Sequence, residues 1–219
     1  LLAGGLTSAV ASPGVNWLMA LLRNFIDTAT LLQPIPMGII VSVVVGLALT
    51  APISSAALCA MIFAVPEGGE LGLGLQLAAG AATAGCCAQM VGFAVSSYRE
   101  NRVGGLVAQG IGTSMLQVPN ILIHPLVLIP PTLASAITGP LATTLFQMRN
   151  SGVFAGMGTS GFVGQIGTWK AMAGLESPGL IALKIALLHL ILPALLSLAF
   201  SELMRRRGWV KPGDMLLKL

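Results

Sequence analysis

The chain has 219 residues, 55% of them hydrophobic and only 8% charged, with a formal net charge of +4. Ordinary soluble domains carry roughly 25% charge, so this composition excludes a soluble globular protein and leaves no room for a soluble catalytic domain. At about 20 residues per helical span, the length allows roughly six to eight crossings or partial crossings.

Long apolar runs rich in Ala, Leu and Gly, without period-two alternation, predict helices rather than a transmembrane barrel. The expected fold is therefore all-α: a polytopic integral membrane protein with kinked, broken or re-entrant Gly/Pro-rich segments, an internal repeat remaining an open alternative. Residues 1–204 read as one transmembrane domain and 205–219 as a cytoplasmic tail. The basic residues are scattered singly except for Arg205, Arg206 and Arg207. Without interleaved aromatics this cluster reads as a membrane anchor and not as a nucleic-acid surface. Cys59, Cys86 and Cys87 lie in apolar runs. Their odd number and spacing suit small buried hydrophobes, not a disulfide framework, and no metal or cofactor is expected. The chain opens without Met, so upstream sequence is expected to be missing.

From Leu1 to Leu22 the pattern is interrupted by Pro13, Gly14 and Asn16, which predicts a short or broken helix ending near Arg23 and Asp27, the two pairing at i, i+4. Thr28 to Thr50 is the first clear span. Ala51 to Val65 would reach only about 23 Å at 1.5 Å per residue, so it reads as a half-helix or a tilted packed helix. Pro66 to Glu70 is a loop expected to face outward. Leu71 to Ser97 is a long span ending at Arg99 and Arg102, whose charge places that end in the cytoplasm. Val103 to Asn120 is Gly-rich. Pro125, Pro130, Pro131 and Pro140 imply kinked or discontinuous helices between Ile121 and Phe146. Leu180 to Phe200, with Lys184, His189 and Pro193, is the last span. Arg205 to Arg207 put the tail inside, so an even number of crossings must separate them from Arg99 and Arg102, and one Gly-rich piece must return to its own side.

Two strings echo each other: Gly110-Ile-Gly-Thr-Ser114 and Gly156-Met-Gly-Thr-Ser160. A looser match joins Thr83 to Met90 with Thr159 to Ile166, and Thr50-Ala-Pro52 with Thr138-Gly-Pro140. Paired Gly/Pro-interrupted segments are the sequence signature of midplane sites in transporters built from repeats. The stretch Arg149 to Trp169 combines six glycines with Asn150, Thr159, Ser160, Gln165 and Thr168. Polar, irregular backbone of this kind is tolerated in a membrane only against protein or a water-filled cavity. It is expected to enter the membrane as a broken or re-entrant element and to form one polar site with the Val103 to His124 region.

At Gly110 to Pro131 (GIGTSMLQVPNILIHPLVLIPP) and Arg149 to Trp169 (RNSGVFAGMGTSGFVGQIGTW) the chain resembles a bacterial family of phosphotransferase-system EIIC-like membrane proteins. That family is similar to sugar permease subunits and includes a protein described as a membrane regulator of perfringolysin expression. The resemblance runs from about Leu31 to Phe200 and implies a permease in the bacterial cytoplasmic membrane. The lipid bilayer, separate phosphoryl-carrying subunits and a second copy in a homodimer are the implied partners. The Gly-Ile-Thr-Glu hairpin of glucose-type EIIC subunits does not occur in the 219 residues, and no segment reads as a phosphorylated domain, which weakens the link to sugar phosphorylation.

On the permease reading, Gln117, Asn120, His124, Thr159, Ser160 and Gln165 are the candidate solute-binding residues, because amides and hydroxyls exchange hydrogen bonds with a small polar solute such as a sugar without burying charge. The bland alternative is interhelical glue. His189 reads as packed and neutral. A non-catalytic membrane regulator is the second reading. A third, remote one is an intramembrane serine hydrolase, in which Gly158-Thr-Ser160-Gly would supply a nucleophile and His189 its base. No catalytic residue is expected.

Overall fold

Between Ala78 and Ala88 every residue but Thr83 is Ala, Gly or Cys, and a helix so thinly clad can be approached closely on all sides. The computed structural model, which describes residues 2–65 and 69–217 and side chains from Trp17 onward, is built around that helix. In chain order the α-helices are α1 (Leu2–Leu32), α2 (Pro34–Thr50), α3 (Ser55–Ile62), α4 (Leu73–Ser96), α5 (Tyr98–Val107), α6 (Val118–Ile123), α7 (Ile129–Thr143), α8 (Val163–Met172), α9 (Pro178–Ile185) and α10 (Leu192–Arg206). The fold is all-α. The 24 residues of α4 extend about 36 Å at 1.5 Å per residue, enough to cross a bilayer. Two further helical runs, Pro125–Thr143 and Pro178–Arg206, are also long and apolar enough to do so.

The close approaches to α4 are made at its glycines. A Cβ on Gly85 would strike the backbone of Ser42 in α2, and one on Gly80 would strike the carbonyl of Met148. A Cβ on Gly92 would lie 2.7 Å from Pro131 in α7 and 2.5 Å from Ser197 Oγ in α10. Helices α2, α7 and α10 therefore pack directly on the α4 backbone, where dispersion and polar contacts replace the hydrophobic drive that lipid cancels.

Several sequence expectations are corrected at the start of the chain. Helix α1 continues through Pro13, Gly14 and Asn16 to Leu32, since a membrane helix tolerates such breakers. Arg23 and Asp27 do not pair: Arg23 donates to the Met61 carbonyl, and Asp27 Oδ1 accepts from the Leu75 amide at 2.8 Å. That carboxylate satisfies one of the orphan amides at the start of α4 and opposes its positive dipole end. The span expected from Thr28 to Thr50 is divided at Gln33 (φ −135°, ψ 68°), because Pro34 drives its predecessor out of the helical region. The loop expected to face outward at Pro66 to Glu70 includes 66–68, which lie outside the described residues.

Call the end of the molecule at Leu73 the near end and that at Ser96 the far end. Three segments enter and return on the same side. Pro34 to Ile62 starts beside Thr143, turns at Ala51 to Ser54 and comes back to Arg23 at the near end. Tyr98 to Ile123 leaves the far end, widens to a π-helical turn at Ala108–Gly112, and returns as α6. Arg149 to Met172 leaves the near end beside Gln76, reaches Met90 with Thr159, and returns as α8. Between the two arginine groups the chain then runs the length of the molecule twice, to the near end with α7 and back to the far end with α9–α10.

The 208–217 segment folds back over the far end instead of leaving it. Val210 and Met215 are buried with Phe93, Val127 and Met204 in a second apolar cluster, and Arg205 pairs with Glu100 at 2.8 Å below them. Arg99 bridges to Glu202 at 3.0 Å, so the two cationic stretches lie side by side.

Candidate functional site at the meeting of the hairpins

The Arg149 to Met172 hairpin is held by its own polar residues. Asn150 Nδ2, fully buried, donates to Thr83 Oγ1 at 2.8 Å, to the Gly164 carbonyl at 3.1 Å and to Thr168 Oγ1 at 3.2 Å. Ser55 Oγ donates to the Gly156 carbonyl at 2.7 Å, and the Gly152 amide to the Phe63 carbonyl at 2.8 Å, so α3 braces the entering limb. At the tip Gly158 has φ +53° and its missing Cβ would sit 2.8 Å from the Cys86 backbone. Only glycine meets both demands at no steric cost.

The tips of the far-end and near-end hairpins meet inside the protein. Thr159 Oγ1 donates to the Gly110 carbonyl at 2.5 Å, which brings the two Gly-x-Gly-Thr-Ser strings together from opposite sides. Beside them Ser114 Oγ lies 2.9 Å from Thr50 Oγ1, which reaches Gln89 Oε1 at 3.3 Å, and Gln89 Nε2 donates to Thr132 Oγ1 at 3.1 Å. All three segments that return to their own side thus touch one polar layer around α4. Thr50, Gln89 and Ser114 were not among the candidates, although an amide inside an apolar run is a signal of function.

The six candidates do not form one site. Thr159 is at the tip contact, and Ser160, half-buried, follows it. Gln165 lies one and a half turns further on, with its Nε2 3.4 Å from Cys87 Sγ and 3.5 Å from His189 Nδ1. Gln117 and Asn120 instead serve the C-terminal segment: Gln117 Nε2 donates to the Met215 carbonyl at 3.1 Å and Asn120 Nδ2 to that of Leu216 at 3.0 Å. His124 is exposed and lies 3.5 Å from Asp214. Spacing along the chain could not reveal that the tail would claim these three.

His189 owes its position to a backbone irregularity. Pro193 has no amide to offer the His189 carbonyl, and the run Ala186–Ile191 widens to a π-helical turn in which the Leu192 amide reaches back to Leu187. Such turns concentrate at functional sites. The turn carries His189 to complete burial against Gln165, and no hydrogen bond joins it to Ser160 among the described residues. With Gln165 Nε2 donating to Nδ1, the ring proton belongs on Nε2. That Nε2 and Gln165 Oε1 are both buried without a partner. Leaving each so costs about 1–3 kcal/mol, and the pair offers one unused donor and one unused acceptor. Gln165 also walls a cleft of about 420 Å³ between α8 and α9, with Ile166, Trp169, Lys170, Ile185 and Leu190.

Neither a curated protein nor a solved structure matches the chain. The family model described as "Phosphotransferase system, EIIC" matches residues 1–217, nearly the whole sequence. With its apolar crossing helices and three segments that return to their own side, the chain belongs to the phosphotransferase system EIIC family of membrane proteins, with the transporter-like role of that family.

Proposed function

We propose that the protein is a permease for a small uncharged polyhydroxyl solute, a sugar, which binds at Gln165 and His189 beside Thr159 and Ser160 and passes when the two hairpin tips separate. The observation that carries this reading is the pair of buried, unpartnered atoms, Gln165 Oε1 and His189 Nε2. A hydroxyl group both donates and accepts, so separate hydroxyls of one sugar can satisfy the two. The adjoining cleft supplies the apolar face of Trp169, and binding sites combine such walls with a few convergent polar groups. Discontinuous helices meeting at the midplane are the usual framework for alternating access. Gln117 and Asn120 have their amides committed to the tail and are left out of the binding site, as is His124.

The far end, which gathers Arg99, Arg102, Arg205, Arg206, Arg207 and Lys211, faces the cytoplasm on this reading, because cytoplasmic flanks collect Lys and Arg. The membrane is the bacterial cytoplasmic membrane. Separate phosphoryl-carrying subunits then meet the protein at its far end, and the protein works as a homodimer. The test is a thermal-shift screen of purified protein against sugars, sugar acids, nucleosides and lipids, since a ligand at about 100 times its Kd stabilises the native state by about 2.7 kcal/mol. A sugar should raise the midpoint in the native protein and fail to do so in Gln165→Leu. A sugar shift that survives both Gln165→Leu and His189→Leu would refute the site.

A further inference from the structure

The 213–217 segment is held mainly through its backbone. Asn101 uses both atoms of its carboxamide on it: Nδ2 donates to the Met215 carbonyl at 2.8 Å, and Oδ1 accepts from the Leu217 amide at 2.8 Å. Gln117 donates to the same Met215 carbonyl and Asn120 to that of Leu216, and the Glu100 carboxylate accepts from the Gly213 amide at 3.4 Å. One apolar side chain anchors the segment: Met215, 1% exposed, fills a socket of Phe93, Val127 and Met204. Every amide in this seat belongs to the far-end hairpin.

The seat is joined to the hairpin tip without a break. Gln117 Nε2, which holds Met215, also donates to Gln109 Oε1 at 2.9 Å, and Gln109 Nε2 donates to Ser97 Oγ at 2.8 Å. Gln109 lies in the π-helical turn next to Gly110, whose carbonyl takes the Thr159 hydroxyl. Asn120 Nδ2 closes the set by donating to Gln117 Oε1 at 2.8 Å. The same amides therefore bind the tail and orient the turn that meets the opposing hairpin.

We infer that the C-terminal segment is a latch: seated on Asn101, Gln117 and Asn120, it holds the far-end hairpin tip against Thr159, and its release frees that tip to open. The gating role rests on the permease reading, whereas the coupling of tail to tip does not. Lifting the tail strips Gln117 and Asn120 of their carbonyl partners and admits water to a set of amides whose mutual bonds depend on its exclusion. The tip contact is then the element whose two arrangements the tail biases.

Two reporters in the full chain separate the steps. Val210→Cys, at a buried tail position, reports release, and Ser114→Cys, buried beside Thr50 at the tip, reports opening. Each is labelled with a membrane-impermeant maleimide in inside-out vesicles, and the protein without the added cysteine is the blank for Cys59, Cys86 and Cys87. In Asn101→Ala, which removes two tail hydrogen bonds and keeps the Cβ, both labelling rates should rise by about tenfold, the order expected from two lost bonds. Met215→Asp, which empties the socket, should do the same, and stands in if Asn101→Ala fails to insert. Faster labelling at Val210→Cys with Ser114→Cys still protected would overturn the latch, as would no change at Val210→Cys in either variant. If both sites respond and no solute uptake is found, the permease reading fails and the coupling stands.

Discussion

Gly158 separates what glycine does for backbone conformation from what it does for packing, because two other glycines serve as internal controls. At Gly158 the backbone has φ +53°, and an added Cβ would lie 2.8 Å from Cys86 C, 2.9 Å from Cys86 Cβ and 3.0 Å from Cys86 O. Those atoms belong to the middle of α4 and cannot swing aside. At Gly152 φ is +50° but nothing lies within 4 Å of the new Cβ, and at Gly179 there is neither a positive φ nor a neighbour. Alanine at Gly152 should therefore cost only the left-handed conformation, about 1–2 kcal/mol. Alanine at Gly158 should cost that plus an overpacking penalty of about 1–3 kcal/mol, roughly 2–5 kcal/mol in all. Gly179→Ala should be neutral or stabilise by about 0.4–1 kcal/mol through the unfolded state. Detergent-titrated unfolding in mixed micelles reads all three variants on one scale. Should Gly158→Ala match Gly152→Ala within about 0.5 kcal/mol, the usual margin of such comparisons, the tip is not wedged against α4 and the hairpin does not reach as deep as described.

Two further outcomes are expected. Arg205→Met leaves the Glu100 carboxylate without its cation in a site where both side chains are below 10% exposed, a loss of about 3–5 kcal/mol; adding Glu100→Gln to that variant should recover at least half, and no recovery would mean that Arg205 acts through Ser96 and Met215 instead. In intact cells a membrane-impermeant maleimide should label Leu175→Cys, exposed at the near end, while Trp209→Cys, exposed at the far end, should react only after permeabilisation; the reverse pattern would invert the orientation drawn from charge.

How much of this was legible in the residues depends on the range of the interactions involved. Composition alone made the protein a helical membrane protein, because lipid forbids unpaired backbone and so leaves few folds. Local chemistry marked the shortened 51–65 element, the break at Pro125, and the glycine-rich break at Arg149 to Trp169, and these appear as α3, as the interruption at His124, and as the near-end hairpin, whereas Pro130, Pro131 and Pro140 are accommodated within α7. Local reasoning erred where a partner distant in sequence decided the outcome. Arg23 and Asp27, well spaced for each other, are drawn to Met61 and Leu75 by carbonyl and amide groups at helix ends. Gln117, Asn120 and His124 have the chemistry of a solute site, but a tail nearly 100 residues downstream occupies them. His189, read as packed, is fully buried, but what it packs against was not legible: the turn before Pro193 brings it to the Gln165 amide, 24 residues upstream. The sequence thus determined the solvent, the helices and the places where they break, all set by single residues and their neighbours. Which polar groups remain unpaired was decided only by tertiary structure, since a hydrogen bond is spent according to what lies within about 3 Å in space, whatever the distance along the chain.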